Sequence, residues 1–281
     1  MKAPDFDYVS PQTLKEALTL LDEGDGDAMP LAGGQSLMPM LNFRLATPDL
    51  LVDLNRLDEL SGIADAGGMI VIGAMTRYAD LEQSDLIANH APLMAKALPF
   101  IAHPAIRNRG TIGGSVALAD PAAEMPALLM TLDATVVVAS LQGERSIAAG
   151  DFFLGLYDTA LRPGEIVKAI SIPKAAGIRR FAFDELTRRH GDYAMVGLAA
   201  TADSINPLNE LRLAFFGIAD RAFRAIEAEE ALNGHTADDE PATKLATEAV
   251  MALPFDGDVN ASADTKRHLA GVLLKRVLQA L

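Results

Sequence analysis

The chain has 281 residues, a length that suits two or three packed subdomains, and half of its residues are hydrophobic. Its formal net charge of −14 argues against nucleic acid and anionic membrane surfaces as partners, and the lack of cysteine excludes disulfides, cysteine-ligated zinc and iron–sulfur clusters within the chain. No apolar run approaches the length of a membrane helix and the first residues carry no recognisable export signal, so we expect a cytoplasmic protein without membrane insertion.

The first zone, residues 1–55, is predicted to begin with an amphipathic helix. Ser10-Pro11 is typical of an N-cap followed by proline at the first helical position. Apolar residues then recur at the spacing of one helix face, and Gly24 is expected to end the helix. The later elements of this zone are predicted to be a loop at Asp25–Met29, the segment Pro30–Ser36 and a strand at Leu50–Asp53.

The second zone, residues 56–175, is predicted to mix strands rich in β-branched residues with short helices. A glycine-rich turn is expected between helix and strand patterns, and a proline is expected to end the last strand. The predicted elements are strands at Ile70–Ile72, Thr135–Ala139 and Ile166–Ile172, helices at Tyr78–Ser84 and Ala91–Leu98, and turns at Thr111–Ser115 and Arg162–Glu165.

The third zone, residues 176–281, is predicted to form a small antiparallel sheet with helices on one side. Two apolar strand patterns flank an Asn-Pro turn, and three helical patterns follow them. The predicted elements are paired strands at Tyr193–Ala202 and Leu211–Ile218, and helices at Ala222–Leu232, Pro241–Leu253 and Thr265–Leu281. The three zones together predict an α+β protein.

Two glycine pairs carry the strongest chemical signal in the sequence. They occur in Ala32-Gly33-Gly34-Gln35-Ser36 and Thr111-Ile112-Gly113-Gly114-Ser115, about 80 residues apart. Glycine permits positive φ and close approach of a ligand to the main chain, so that consecutive amides can converge on an anion. Together the loops predict a grip on the two phosphates of a dinucleotide. Either pair by itself is also compatible with an ordinary turn.

Sequence signatures of the common catalytic and nucleotide-binding folds are absent from the chain. It contains no G-x-G-x-x-G segment, no P-loop and no G-x-S-x-G nucleophile elbow. The five histidines show no helical spacing typical of a metal-binding pair, and we predict no metal site. A phosphate grip formed by the glycine loops is therefore of neither the Rossmann nor the P-loop type.

The sequence resembles the medium, flavin-binding subunits of the xanthine dehydrogenase and carbon monoxide dehydrogenase family of molybdenum hydroxylases. The most specific match is the string from Arg107 to Gly114, and further matches follow the family order along most of the chain. The matching segments are Phe6–Tyr8, Ala32–Ser36, Asp53-Leu54, Ile72–Ala74, His103–Ser115, Asp120–Glu124 and Gly191–Ala194. The resemblance implies an FAD-binding fold of the vanillyl-alcohol-oxidase type, with a C-terminal domain of a small antiparallel sheet packed with helices.

The same resemblance implies the residues that bind FAD without a covalent link. In the two glycine loops they are Ala32, Gly33, Gly34, Gln35, Ser36, Leu37, Thr111, Gly113, Gly114 and Ser115. Outside the loops they are Ile101, Ala102, Glu124, Leu161 and Tyr193.

Two of these residues have alternative interpretations. Glu124 lies where relatives place a carboxylate that reaches cofactor hydroxyls, but an acidic residue at a helix N-terminus is also favoured by the helix dipole. Tyr193 matches a position that relatives place near the isoalloxazine, where an aromatic could cover one face of the flavin, but it also suits the core of a strand. Asp184-Glu185 departs from the family, because some relatives carry a lysine close to the flavin there.

The resemblance implies an electron-transfer subunit with no catalytic residue of its own. Molybdopterin and [2Fe-2S] clusters would belong to a large and a small partner subunit, in a dimer of heterotrimers. A free-standing flavin-dependent oxidoreductase on the same fold is the alternative, with His103 and His190 as candidate proton-transfer groups. A docking protein that has lost its cofactor is a third possibility, which the intact glycines disfavour. The substrate and the electron acceptor cannot be read from the sequence.

Overall fold

The N-terminal part of the chain is built around a parallel sheet of three strands in the order β1-β3-β2. The computed structural model describes residues 2–24, 26–175, 179–189 and 191–281. The helix α1 lies against β2 and β3 and buries its apolar face. The elements of this part are β1 (Asp7–Val9), α1 (Leu14–Glu23), β2 (Ala28–Leu31), α2 (Leu37–Asn42) and β3 (Leu50–Asp53).

The predictions for this part were correct for α1 and β3 and wrong in two details. The N-cap of α1 is Thr13, whose side chain accepts a hydrogen bond from the amide of Glu16, and not Ser10. The predicted loop Asp25–Met29 is wrong at its end, because β2 begins at Ala28; Asp25 lies outside the described residues. Pairing with β3 extends Ala28–Leu31 as a strand, although this segment lacks β-branched residues and contains a proline, so local propensity does not indicate it.

The middle part contains an antiparallel sheet of five strands in the order β4-β5-β10-β6-β7. The strands and the two helices predicted from the sequence are confirmed. Short 3-10 turns occur at Leu54–Arg56, Asp58–Leu60 and Leu98–Phe100. The elements are β4 (Ile63–Ala66), β5 (Met69–Gly73), α3 (Tyr78–Glu82), α4 (Asp85–His90), α5 (Pro92–Ala97), α6 (Pro104–Arg107), α7 (Ile112–Leu118), α8 (Glu124–Thr131), β6 (Thr135–Ser140), β7 (Gly143–Ala148), α9 (Ala149–Phe152), β8 (Phe153–Gly155), β9 (Asp158–Thr159) and β10 (Ile166–Pro173).

The C-terminal part has an antiparallel sheet of four strands in the order β11-β12-β15-β16. The predicted pairing of two strands around Asn206-Pro207 is confirmed, with a small hairpin of β13 and β14 between them. The elements are β11 (Arg180–Leu186), β12 (Val196–Ala202), β13 (Ser204–Ile205), β14 (Leu208–Asn209), β15 (Arg212–Phe216), β16 (Phe223–Arg224), α10 (Ile226–Leu232), α11 (Glu240–Met251) and α12 (Ala263–Ala280).

Two predictions for the C-terminal part were wrong. The helix predicted from Ala222 begins at Ile226, because Phe223–Arg224 pairs with β15 as an edge strand. The sheet carries helices on both faces rather than on one. Helices α10 and α12 cover one face, while α5 and α8 of the middle part cover the other, and every residue of β12 is buried. The helices α5 and α8 join the middle part to the C-terminal sheet. Because they lie outside residues 176–281, the sequence of the third zone alone does not predict them.

Lys266 holds the connection between the sheet and α12. It is 4% exposed, and its Nζ donates to the carbonyl of Gly217 at 2.7 Å and lies 2.8 Å from Asp258 Oδ2. An ammonium group is rarely buried unless it is paired, and here both partners are supplied. The pairing fixes the loop before α12 against the end of β15. Within the residues that the structure describes, no helix combines the length and the apolarity needed to cross a membrane.

We predict that Lys266→Met lowers the free energy of unfolding by about 1–3 kcal/mol, because the Gly217 carbonyl loses its buried donor. Urea denaturation of the full chain measures the change. The matched control is Lys244→Met on α11, whose side chain is exposed and makes no ion pair among the described residues. Equal stability of the two variants would show that the buried pairing contributes nothing.

Candidate cofactor-binding site

The first glycine loop connects β2 to α2 and presents a row of free amides. Gly34 adopts a φ of +70°, and Gln35 Nε2 donates to the carbonyl of Gly33 at 2.9 Å. The amides of residues 33–37 donate no hydrogen bond to the parts of the chain that the structure describes. Consecutive unpaired N–H groups of this kind form an anion-binding concavity.

The second glycine pair begins a helix, and the turn predicted there was wrong. Thr111 is the N-cap of α7, and its Oγ1 accepts a hydrogen bond from the Gly114 amide at 3.1 Å. Gly113 and Gly114 both have negative φ, so conformational freedom does not explain them. Gly113 is needed for packing, since a Cβ there would lie 2.4 Å from the Cβ of Ala74.

The two loops lie against each other although they are far apart in sequence. A Cβ at Gly33 would lie 2.3 Å from the carbonyl oxygen of Arg109, and a Cβ at Gly114 would lie 3.4 Å from the Cβ of Ala32. Asn55 Nδ2 donates to the Ala32 carbonyl at 3.0 Å. The guanidinium of Arg77 donates both to Asn55 Oδ1 and to the carbonyl of Arg109. Asn55 and Arg77 therefore tie the two loops together.

Asp53, at the end of β3, positions Asn55 in this connection. One carboxylate oxygen accepts from the Asn55 amide at 3.0 Å, and the other accepts from the hydroxyl of Tyr8 on the neighbouring strand. Burial acts to raise the pKa of Asp53, but the hydrogen bonds from Tyr8 and Asn55 outweigh it and lower the pKa. Asp53 is thus held as a carboxylate that orients the residues around the first loop.

Glu124 lies at the first position of α8, close to the second loop. It is 7% exposed, and its carboxyl makes no hydrogen bond or ion pair with another residue among those described. Burial raises the pKa of Glu124 to about 7, and the negative charge of Asp120 adds to the effect. The buried Tyr78 lies beside both Glu124 and Ser115, and its hydroxyl has no hydrogen bond of ordinary length to the described chain.

Tyr193 lies in the segment before β12 and is anchored at its hydroxyl end. It is 61% exposed, so the alternative of a core strand aromatic is wrong. Its hydroxyl interacts with Asp120, whose Oδ2 also lies 3.5 Å from the hydroxyl of Tyr157. Burial of the hydroxyl end beside Asp120 raises the pKa of Tyr193. The ring is positioned while much of its surface stays accessible.

Ile101 and Ala102 lie next to the segment that carries Tyr193. Ala102 adopts a φ of +46°, and Arg107 Nη1 donates to the carbonyls of Ile101 and Ala102 at 3.0 and 3.1 Å. The neighbouring His103 packs against Gly191, where a Cβ would lie 2.4 Å from the imidazole ring. His103 therefore supports the backbone here, and His190 lies outside the described residues.

Leu161 is the predicted site residue with the weakest link to the others. It follows β9, is half-buried and packs against the core of the middle part. The strand β9, which precedes it, contacts α7, the helix that begins in the second loop. The other predicted residues form one connected surface along both loops, Glu124 and Tyr193.

Several residues of this surface were missed by sequence reasoning. Asp53 and Asp120 belong to strings that resemble the family, but nothing in the strings indicates their contacts. Asn55 and Tyr78 carry no local signal, and Glu185 was noted only as part of a departure from the family pattern. They join the site through partners that are distant in sequence, which only the fold brings together.

The arrangement fits a dinucleotide. Free amides and the hydroxyls of Ser36 and Ser115 supply donors where a pyrophosphate carries negative charge. Side chains at Gly33 and Gly114 would close the space between the loops. Beyond the loops, an accessible aromatic ring and buried carboxyl groups line the far end, which suits a flat polar ring system.

Two known domain families match nearly the whole chain. Residues 4–175 match the FAD binding domain in molybdopterin dehydrogenase, and residues 181–281 match the CO dehydrogenase flavoprotein C-terminal domain. Subunit alpha of the 6-hydroxypseudooxynicotine dehydrogenase complex of Paenarthrobacter nicotinovorans is 41% identical over 280 residues, which cover 99% of this chain and 95% of that protein.

Solved structures of enzymes that contain similar chains have the same fold. A chain of carbon monoxide dehydrogenase from Hydrogenophaga pseudoflava, in a form that lacks the Mo-pyranopterin moiety, has a TM-score of 0.96 at 40% identity and covers 100% of this chain and 98% of its own. A chain of quinoline 2-oxidoreductase from Pseudomonas putida 86 has a TM-score of 0.93 at 40% identity with the same coverage. The predicted fold class, an FAD-binding fold followed by a C-terminal domain, is confirmed.

We predict that Gly113→Ala destabilises the chain by about 1–3 kcal/mol, because the new methyl group overlaps the Ala74 backbone and Cβ. Thermal and urea unfolding measure the loss. Gly150→Ala in α9 is the control, since a Cβ there meets no atom within 4 Å. If both variants unfold alike, the close contact between α7 and the strand end is not a constraint.

Proposed function

The chain belongs to the family of FAD-binding subunits of molybdopterin dehydrogenases, and on that premise we propose that it holds FAD non-covalently between its two glycine loops and acts in electron transfer. The row of free amides at residues 33–37, beside Ser115, is the observation that carries the proposal. These donors have no partner within the described chain, and a pyrophosphate would satisfy them.

We propose specific roles for the residues along this surface. The pyrophosphate would be held by the first loop from Ala32 to Leu37 and by Thr111, Gly113, Gly114 and Ser115. Ile101, Ala102 and Leu161 would give apolar contacts, Glu124 would face cofactor polar atoms, and Tyr193 would cover the ring system. We also propose the division into residues 1–55, 56–175 and 176–281, which places one main sheet in each part.

The proposed role of this chain is to hold, orient and tune the cofactor. Bound FAD supplies the ability to accept electrons singly and to pass on one or two. The chain contains no cysteine that could ligate an iron–sulfur cluster. We therefore propose a small iron–sulfur subunit and a large molybdopterin subunit as partners, in a dimer of heterotrimers. A cytoplasmic location remains a prediction from the sequence.

The substrate of the complex is not determined by this chain. The relatives are named for 6-hydroxypseudooxynicotine, carbon monoxide and quinoline, at 40–41% identity to this chain. Near-equal similarity to subunits of such different enzymes is expected when the substrate binds elsewhere in the assembly. The alternative of a free-standing flavoenzyme needs a proton-transfer group, and His103 is instead packed against Gly191.

We predict that the full chain purifies with FAD, or takes it up, at one FAD per chain, and that Ser36→Ala and Ser115→Ala each weaken binding by on the order of tenfold. The reason is that a hydrogen bond to a charged acceptor contributes about 1.5–3 kcal/mol. Titration of the apoprotein with FAD, followed by flavin fluorescence, measures the dissociation constants.

The control is Ser146→Ala, which removes an exposed hydroxyl of β7 far along the sequence from both loops. A colourless wild-type chain that does not take up FAD would refute the proposed function. Substrate oxidation by the isolated chain would favour the free-standing enzyme. Turnover only after addition of cluster-bearing and molybdopterin-bearing chains is the result expected for an electron-transfer subunit.

We predict that Tyr193→Ala leaves FAD bound but increases its fluorescence several-fold, because an aromatic ring over the isoalloxazine quenches its emission. Quenching by added iodide should rise in parallel as the ring becomes more accessible. The matched control is Leu245→Ala on α11, a side chain of similar exposure at 58%. Unchanged fluorescence in Tyr193→Ala would remove Tyr193 from the cofactor surface.

A further inference from the structure

Glu185 places a carboxyl group on the face of the C-terminal sheet that packs against the middle part. Side chains alternate along β11, and Phe183 on the same face belongs to the core of the middle part. Asp184 faces the other way, toward α12, where Arg276 lies 3.5 Å from its carboxylate. The guanidinium of Arg276 therefore lies on the opposite face of the sheet from Glu185. The Glu185 side chain is half-buried.

One oxygen of Glu185 is completely buried without a partner. Its Oε2 accepts no hydrogen bond from the residues that the structure describes. The elements packed on this side of the sheet are α5, which contacts β11 and β12, and α8, which contacts β12 and begins with Glu124. Glu124 is itself 7% exposed and makes no hydrogen bond or ion pair with another described residue. Because the charge of Glu124 acts on Glu185, two carboxyl groups without a compensating cation lie near each other on a helix and a strand.

Among the residues that the structure describes, none places a compensating positive charge at the two carboxyl groups. No lysine, arginine or histidine of the described residues lies within ion-pair distance of either one. The acidic side chains of the described residues also do not form a group that could hold a metal ion. The titratable groups that interact with Glu124 are Asp120, Tyr78 and Tyr193. The charge of Asp184 acts on Glu185, although the Asp184 side chain lies on the opposite face of β11.

Two such groups cannot both lose their protons at neutral pH without a large cost. Burial, together with the charges of Glu124 and Asp184, raises the pKa of Glu185 to about 8. Ionisation of one carboxyl opposes ionisation of the other, so the protons leave in two steps that belong to the pair. The same principle separates the two steps of paired carboxyls in aspartic proteases.

We propose that Glu124 and Glu185 ionise as a coupled pair that retains one proton at neutral pH, and that Glu185 is thereby a positioning residue that limits the negative charge beside the cofactor. This inference rests on the proposed FAD site. A carboxyl that keeps its proton can donate a hydrogen bond, whereas a second carboxylate would oppose the electrons that the cofactor takes up. As the pH rises, the second charge appears and the reduction potential should fall further.

The test follows the two side chains in the full-length apoprotein and needs no flavin. Carboxyl titrations by carbon-13 NMR are expected to show two steps in the wild type, both above the ordinary range of glutamate. Glu124→Gln should leave one step, at a pH on the order of one unit below the upper step of the wild type. Glu185→Gln should also leave one step. Glu230→Gln, an exposed residue of α10, is the control and should change neither step.

The reduction potential of the FAD-loaded chain then tests the effect on the cofactor. Wild type and Glu185→Gln should have similar potentials at mildly acidic pH, and the wild-type potential should become the lower of the two at alkaline pH. Both carboxyls titrating in the ordinary acidic range, or a Glu185 step unmoved by Glu124→Gln, would overturn the coupling. A coupled pair with no difference in potential would overturn its role beside the cofactor. Failure of the wild type to bind FAD would refute the proposed function instead, since the apoprotein titration is independent of it.

Discussion

The structure depends on the contact between two backbone segments that leaves no room for a side chain. Gly33 lies so close to the carbonyl of Arg109 that even a methyl group would overlap it. This contact joins the loop after β2, in the N-terminal part, to the segment between α6 and α7, in the middle part. Asn55 and Arg77 hold it from the side by hydrogen bonds to main-chain carbonyls of both segments. A concave row of amides is preserved only while these two parts stay in contact.

The electrostatics of the site differ between its two ends. At the loops, free N–H groups and serine hydroxyls present positive ends of dipoles. At the far end, burial raises the pKa values of the carboxyl groups of Asp120, Glu124 and Glu185. The donors suit a permanently charged phosphate, and carboxyl groups with raised pKa values suit a ring system whose charge changes with its oxidation state. The site therefore combines a fixed anchor with an environment that responds to pH.

The sequence predicted the parts of this protein that local patterns determine. Strands such as Leu50–Asp53 and Ile166–Ile172 are apolar and β-branched, and their bounds agree with the structure within a residue. The glycine loops were found because two similar motifs recur, but Thr111–Ser115 was mistaken for a turn. Its glycines are explained by the packing of Gly113 on Ala74, a contact between residues about 40 positions apart. Such long-range contacts leave no local pattern.

The two acids at residues 184 and 185 lie on opposite faces of β11 and therefore meet different surroundings. Asp184 lies 3.5 Å from Arg276 on the face covered by α12, while Glu185 lies on the face covered by α5 and α8, where the charge of Glu124 acts on it. A cation would stabilise negative charge at all pH values below its own pKa, whereas a carboxyl can do so only while it keeps its proton. Tuning of the cofactor by this strand is therefore expected to depend on proton binding rather than on a fixed charge.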